Sequence, residues 1–140
     1  MRAFIDRTSA ATAIGLVAFS GQAQELVAPT RDRTALQTGL QAIPAPNGAT
    51  AIGDALGLAL RMLPRTGRPI VVLITDGENN AGSDPLAQAR MLAAHGVKLY
   101  TVGIGTQAGA LIPGTLQTAG LDETALRSYA QVTGGAYSGA

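Results

Sequence analysis

Ile70 to Ile74 is a run of five aliphatic residues, mostly β-branched, that stops abruptly at Thr75, Asp76, Gly77, Glu78, Asn79 and Asn80. No polar residue alternates with the aliphatic ones, so the run predicts a strand covered on both faces, and such strands belong to parallel sheets. Beyond its carboxyl end Gly77 lets the backbone turn sharply, and Glu78, Asn79 and Asn80 are expected in solvent. Ligands of open α/β sheets bind at that edge, which makes this strand tip the first place to look for a site.

The rest of the chain supplies what a parallel sheet requires. Ile14 to Phe19 predicts another buried strand, closed by Ser20 and Gly21, and Glu25 to Ala28 a short extended piece ended by Pro29. Leu36, Leu40 and Ile43 repeat at helical spacing before Pro44 and Pro46, and Ile52, Leu56, Leu60 and Leu63 mark one face of a helix that Pro64 terminates. Asp84 predicts an N-cap with Pro85 at the first helical position, Leu86, Ala89 and Ala93 facing inward and Gly96 at the end. Val97 to Ile104 follows as a strand, and residues 105–120 as a long loop. Asp122 caps a last helix in which Leu121 and Leu126 stand as a hydrophobic staple; it stops at Gly134 and Gly135, leaving AYSGA as a short edge strand. This alternation predicts one domain over residues 1–140, an α/β doubly wound fold whose mostly parallel sheet is flanked by helices.

Composition narrows the function. At 140 residues folding buries roughly two thirds of the unfolded surface, enough for a core without staples. The absence of cysteine excludes disulfides and thiolate metal sites. Ten Lys and Arg against nine Asp and Glu, with no basic cluster among aromatics, exclude nucleic acid as an expected partner. The amino terminus, with Arg2, Arg7 and an apolar run from Ala10 to Phe19, imitates a secretory signal, but the strand reading of Ile14 to Phe19 agrees better with the rest of the chain. No apolar stretch reaches the roughly 20 residues that span a bilayer.

Two polar residues stand at the ends of hydrophobic elements. Thr50 precedes a helix in NGATAIGDAL, and Asp76 follows the aliphatic strand. Singly, Thr50 reads as an N-cap and Asp76 as a turn former; together, a hydroxyl and a carboxylate on one crevice suit a hard cation such as Mg²⁺. Asp54 reads as a support for the Thr50 loop or as a first-turn acid suited to the helix dipole. His95 sits where it favours a helix carboxyl end, and lacks the second His or Cys that zinc needs. Gly103, Gly105 and Gly109 miss the spacing of a dinucleotide fingerprint, and no glycine elbow surrounds Ser20.

The blocks IGLVAFSGQA, NGATAIGDALGLAL, VVLITDGENNAG, VKLYTVGIGT and LDETALRSYAQVTGGAY, in that order from Ile14 to Tyr137, resemble the von Willebrand factor A domain of the bacterial aerotolerance-operon type. The resemblance implies a Rossmann-like fold and a metal-ion-dependent adhesion site holding Mg²⁺ or Mn²⁺, with Thr50 and Asp76 among its ligands. A partner protein's acidic residue would complete the ion's coordination. Family members begin with a strand ending in D-x-S-x-S and a long helix. Here DRTSA leaves only three residues between Ala10 and Ile14, too few for a parallel crossover. MRAFIDR therefore reads as the end of the first helix, with Phe4 and Ile5 toward the core. The first strand and the last helix are expected to be missing, so the chain reads as a partial domain, with two of five implied ligands and weak or absent metal binding. The missing strand lies between the IGLVAF and VVLIT strands in the family, so these either close up or leave a gap. Relatives are often tethered to bacterial membranes, which sets the expectation of a membrane-associated or periplasmic parent protein. The function expected is protein interaction without catalysis; the alternatives are a metal-free structural interaction domain and, behind it, a Mg²⁺-dependent hydrolase or phosphotransferase.

Overall fold

Strand β1 (Ile14–Phe19) turns at Ser20 and Gly21 into β2 (Ala23–Thr30), and the two pair antiparallel from Ile14 opposite Thr30 to Phe19 opposite Ala23. In the computed structural model these strands belong to the described residues 7–9, 11–43, 49–64, 67–75, 78–79, 81–104, 110–111, 118–119 and 122–139. The expected extended piece is longer than predicted and runs through Pro29. A strand tolerates proline where one edge carries no ladder, and among the described residues β2 pairs only with β1.

Helix α1 (Arg33–Gln41) is capped by Asp32, whose carboxylate accepts the Thr34 and Ala35 N–H groups. It ends at the Ala42 cap, so Ile43, predicted as its last apolar contact, lies beyond it and is 54% exposed. Helix α2 (Ile52–Met62) follows, then β3 (Ile70–Thr75), α3 (Pro85–Ala94) and β4 (Lys98–Gly103). The Asp84 carboxylate caps α3 by accepting the Leu86 N–H, with Pro85 at the first position, where its missing N–H costs nothing. Its last turn closes on His95, whose Nδ1 lies 2.8 Å from the Met91 carbonyl, and Gly96 takes the left-handed φ of 73° that ends the helix. The predicted loop 105–120 contains a short antiparallel hairpin, β5 (Ala110–Leu111) with β6 (Thr118–Ala119). Asp122 caps α4 (Glu123–Gln131) through the Ala125 N–H, and β7 (Tyr137–Gly139) closes the described chain. Leu121 of the expected staple, and Phe4 and Ile5 of the expected first helix, lie outside the described residues.

β4 is the centre of a parallel sheet. It pairs with β3 from Ile70 opposite Lys98 to Thr75 opposite Gly103, and with β7 from Thr101 opposite Tyr137 to Gly103 opposite Gly139. Ile52, Leu56, Leu73, Leu92, Leu99, Leu126 and Tyr129 bury together around it. The fully buried Thr101 hydroxyl is satisfied there: its Oγ1 donates to the Leu126 carbonyl at 2.9 Å. Gly135 lies so close to the Leu99 carbonyl that no Cβ fits. Leu16 and Leu36 form a second, smaller cluster between the β1–β2 ribbon and α1.

The aliphatic run is not covered on both faces. Ile70 is 48% exposed and Val71, Val72 and Ile74 are only half-buried. Of the two outcomes expected for β1 and β3, the gap stays: among the described residues they do not pair. Among the described residues that edge of β3 therefore has no partner strand. No helix among the described residues is long and apolar enough to cross a membrane.

Candidate functional site

Three chain segments meet at the carboxyl ends of β1 and β3. The Ala51 N–H donates to the Ser20 carbonyl just past β1 at 2.6 Å, which brings the segment holding Thr50 to that strand's end. On its other side the Thr50 carbonyl accepts the Ala81 N–H at 3.2 Å, from the loop that follows β3. Past the adjoining strand tip, the Ile104 N–H donates to the Thr75 carbonyl at 3.1 Å, so β4 ends on the same rim.

Helix α2 starts on this rim in an unusual way. Its N-cap is Ala51, which has no side-chain acceptor, and Thr50 stands one residue earlier, so the reading of Thr50 as an N-cap does not hold. A first-turn N–H left open costs free energy unless another group accepts it. Asn79 supplies that group: its Oδ1 accepts the Ile52 N–H at 2.9 Å. Asn79, expected in solvent, is thus half-buried and joins the two loops, while Glu78 is exposed as expected.

One turn into α2, Asp54 clamps the same loop from below. Its Oδ1 accepts the Ser83 N–H at 2.9 Å and the Ser83 hydroxyl at 2.8 Å. These two donors, the backbone one first, hold the Asp54 carboxyl below the usual carboxylate range; partial burial opposes them and the Arg61 charge adds slightly. Of the two readings of Asp54, the first-turn acid agrees with its place in α2, and its carboxylate holds the opposing loop and not the Thr50 loop. Two glycines make the approach possible. A Cβ on Gly53 would run into the Ser83 backbone carbonyl, and one on Gly82, at φ 75°, would lie 2.5 Å from Asp54 Oδ2. A polar cleft of about 330 Å³ flanks this clamp, lined by Gln22, Asp54, Arg61, Ser83 and Gln88.

Thr50 is half-buried on this rim, and Asp76, its predicted companion, lies outside the described residues. The donor chemistry expected of the pair is all oxygen, a hydroxyl and a carboxylate, which fits a hard cation but fills only part of its coordination sphere. Among the described residues no three His, Cys, Asp or Glu side chains converge on one point. Sequence reasoning missed Asn79, Ser83 and the two glycines. Gly53 carried a signal, because a glycine in a helix costs about 1 kcal/mol and commonly marks a close approach; Asn79 and Ser83 carried none, since their partners are 27 and 29 residues away.

The sequence pattern of the von Willebrand factor type A domain matches residues 1–133. A UPF0353 protein of Mycolicibacterium paratuberculosis is 31% identical over 150 residues, covering 94% of this chain and 44% of the relative. The chain thus spans under half the length of that relative. Among solved structures, an aerotolerance-related membrane protein from Bacteroides fragilis superposes over 99% of this chain and 76% of its own, with TM-score 0.85 and 26% identity. Proximal thread matrix protein 1 of the mussel byssus, solved with zinc in its metal-ion-dependent adhesion site, shares the fold: TM-score 0.75 at 23% identity, over 99% of this chain and 34% of that one.

Proposed function

The chain belongs to the von Willebrand factor type A family, and from that membership we propose that residues 1–140 form one partial domain of a protein-interaction module whose complete form grips a partner's acidic residue through Mg²⁺ or Mn²⁺. Members of the family are commonly interaction modules with a metal site, and related folds carry zinc or manganese. Thr50 and Asp76 are this chain's share of the ligands. The observation that supports the reading is the tie between the two loops: Asn79 Oδ1 on the Ile52 N–H and the Thr50 carbonyl on the Ala81 N–H. These bonds hold the hydroxyl-bearing loop against the segment that follows the strand tip, where α2 adds the positive end of its dipole.

When bound, the ion offers a coordination position to a partner's carboxylate. The chain's own residues orient: Asn79 sets the start of α2, and Asp54 with Ser83 fixes the far side of the loop. No catalysis is assigned. Hydrolysis or phosphoryl transfer needs a second acid or base beside Asp76, and the nearby Glu78 is exposed. The parent protein is taken to be membrane-associated, as the Bacteroides fragilis relative is described to be.

Titration of the chain with Mn²⁺, followed by paramagnetic broadening of backbone amides, tests this. Weak binding is expected, with broadening confined to the segments around Thr50 and Asp76 and removed by Thr50→Ala or Asp76→Ala. Tight binding at one site that survives both substitutions, or broadening centred elsewhere, overturns the assignment.

A further inference from the structure

The polar cleft of about 330 Å³ beside the Asp54 clamp is bounded by the turn that joins β1 to β2, one side of α2 and the start of α3. Among the described residues Thr50 is not part of its lining. Gly53, Gly57 and Arg61 are spaced by four and share that side of α2. Two glycines there have different causes. Gly53 is required by packing, because its Cβ would strike the Ser83 backbone. Gly57 is not: the nearest atoms to the Cβ it lacks are the ends of two flexible side chains, Gln88 Oε1 at 3.2 Å and Arg61 Nη1 at 3.6 Å. A glycine in mid-helix costs stability, and one that neither a turn nor packing requires leaves room for a ligand to approach the backbone closely. Gly57 is the floor of the cleft.

The charges of the lining say what that ligand carries. They are Asp54 and Arg61, two turns apart in sequence. Arg61 leans back over Gly57, so its guanidinium stands one helical turn, roughly 5 Å, from the level of Asp54. The two do not pair with each other: among the described residues the ion pair is Arg127 with Glu123. Asp54 Oδ1 takes both Ser83 donors, and a carboxylate has further acceptor positions to offer. The guanidinium fork matches a carboxylate. An anion alone would meet Arg61 and be repelled by Asp54, and a cation alone would meet the reverse. A molecule carrying both charges a few ångströms apart answers both ends. We propose that the cleft binds a small zwitterion, a free amino acid or a dipeptide, with its carboxylate on Arg61, its ammonium on Asp54 and its backbone over Gly57. Gln22 and Gln88 flank it with carboxamides, which donate and accept. This site does not depend on the metal reading.

The test is a titration of the 140-residue chain, in EDTA, with L-alanine, L-alanyl-L-alanine, N-acetyl-L-alanine and L-alaninamide, followed by backbone amide shifts. Saturable shifts over residues 53–61 and 83–88 are expected with L-alanine or its dipeptide, and the tighter of the two fixes the ligand's length. Removing either charge, in the acetylated or the amidated form, should weaken binding at least about tenfold. Arg61→Gln should abolish saturation. Gly57→Ala should weaken binding at least about fivefold while the thermal midpoint stays level or rises, because alanine suits a helix better. No saturable shift with either zwitterion overturns the proposal. So does equal binding of N-acetyl-L-alanine or L-alaninamide, which would show a site for one charge, and so does binding that survives Arg61→Gln. With divalent ions chelated, either result leaves the metal reading where it stood.

Discussion

Around β4, two parallel neighbours and helices α2, α3 and α4 enclose nine buried residues, whereas the ribbon of β1 and β2 shares with α1 a cluster in which only Leu16 and Leu36 are buried. The β3–β4 ladder is regular and the β1–β2 ladder shifts register between Ile14 and Val17, and the two regions also differ in what covers them. A two-stranded ribbon is marginal in water unless something packs on it. Here α2 does so, touching β1 and β2 on one side and α3 on the other. The ribbon thus borrows its stability from a helix that belongs to the larger core. Thr50, the described member of the candidate site, lies where the two regions join, at the amino end of that helix.

The sharpest way to break this comparison is to cut both cores. Leu99→Ala, in the central strand, is expected to cost about 3 kcal/mol in urea denaturation of the whole chain, and Leu36→Ala about 2 kcal/mol. The Leu36 substitution should speed amide exchange in β1 and β2 while β4 stays protected. If both changes expose every strand together, the two regions form one cooperative unit and the contrast fails.

At the junction, Gly53→Ala forces a methyl into the Ser83 carbonyl and should cost about 1.5 kcal/mol in the same assay. Gly67→Ala, at φ 84° with open space around its Cβ position, should cost under about 1 kcal/mol. Equal costs would mean that α2 and the 81–83 loop are not in tight contact.

Asp54→Asn removes the charge that Ser83 stabilises and should cost about 1 kcal/mol at neutral pH. The sign follows from the lowered carboxyl pKa: the contribution is complete above the ordinary value of 3.8 and disappears as pH falls through the lower folded-state value. Urea midpoints measured from pH 6 down to pH 3 should therefore converge between wild type and Asp54→Asn. A constant offset across that range would assign the loss to packing. The smallest effect is expected at the exposed pair of Arg127 and Glu123, 3.3 Å apart. Glu123→Gln should change stability by less than about 0.5 kcal/mol, and that difference should shrink in salt.

The strands and helix starts were readable because their causes are local. Asp84 with Pro85, and Asp122, announce helix starts within four residues, and the aliphatic runs at β1, β3 and β4 follow from period and β-branching alone. Ile43 was misjudged because helical spacing continued one turn past the point where the helix stops. Pro29 was misjudged because a proline breaks a strand only if both its edges are needed. The candidate site was read only as residue types, a threonine before a helix and an acid after a strand, and the acid, Asp76, lies outside the described residues. Its supports were not read, because Asn79, Ser83 and Gly82 act on residues far away in the chain.

By itself, the order of apolar runs, caps and turns determined an α/β chain with a parallel sheet and a family resemblance that the sequence match bears out, because each of those signals is carried by residues a few places apart. Only the tertiary structure decided that β1 and β3 do not pair among the described residues, that Asn79 caps a helix from another loop and that Asp54 holds Ser83. Those outcomes depend on which backbone groups find partners after the chain has closed on itself, and no local pattern encodes a partner that lies dozens of residues away.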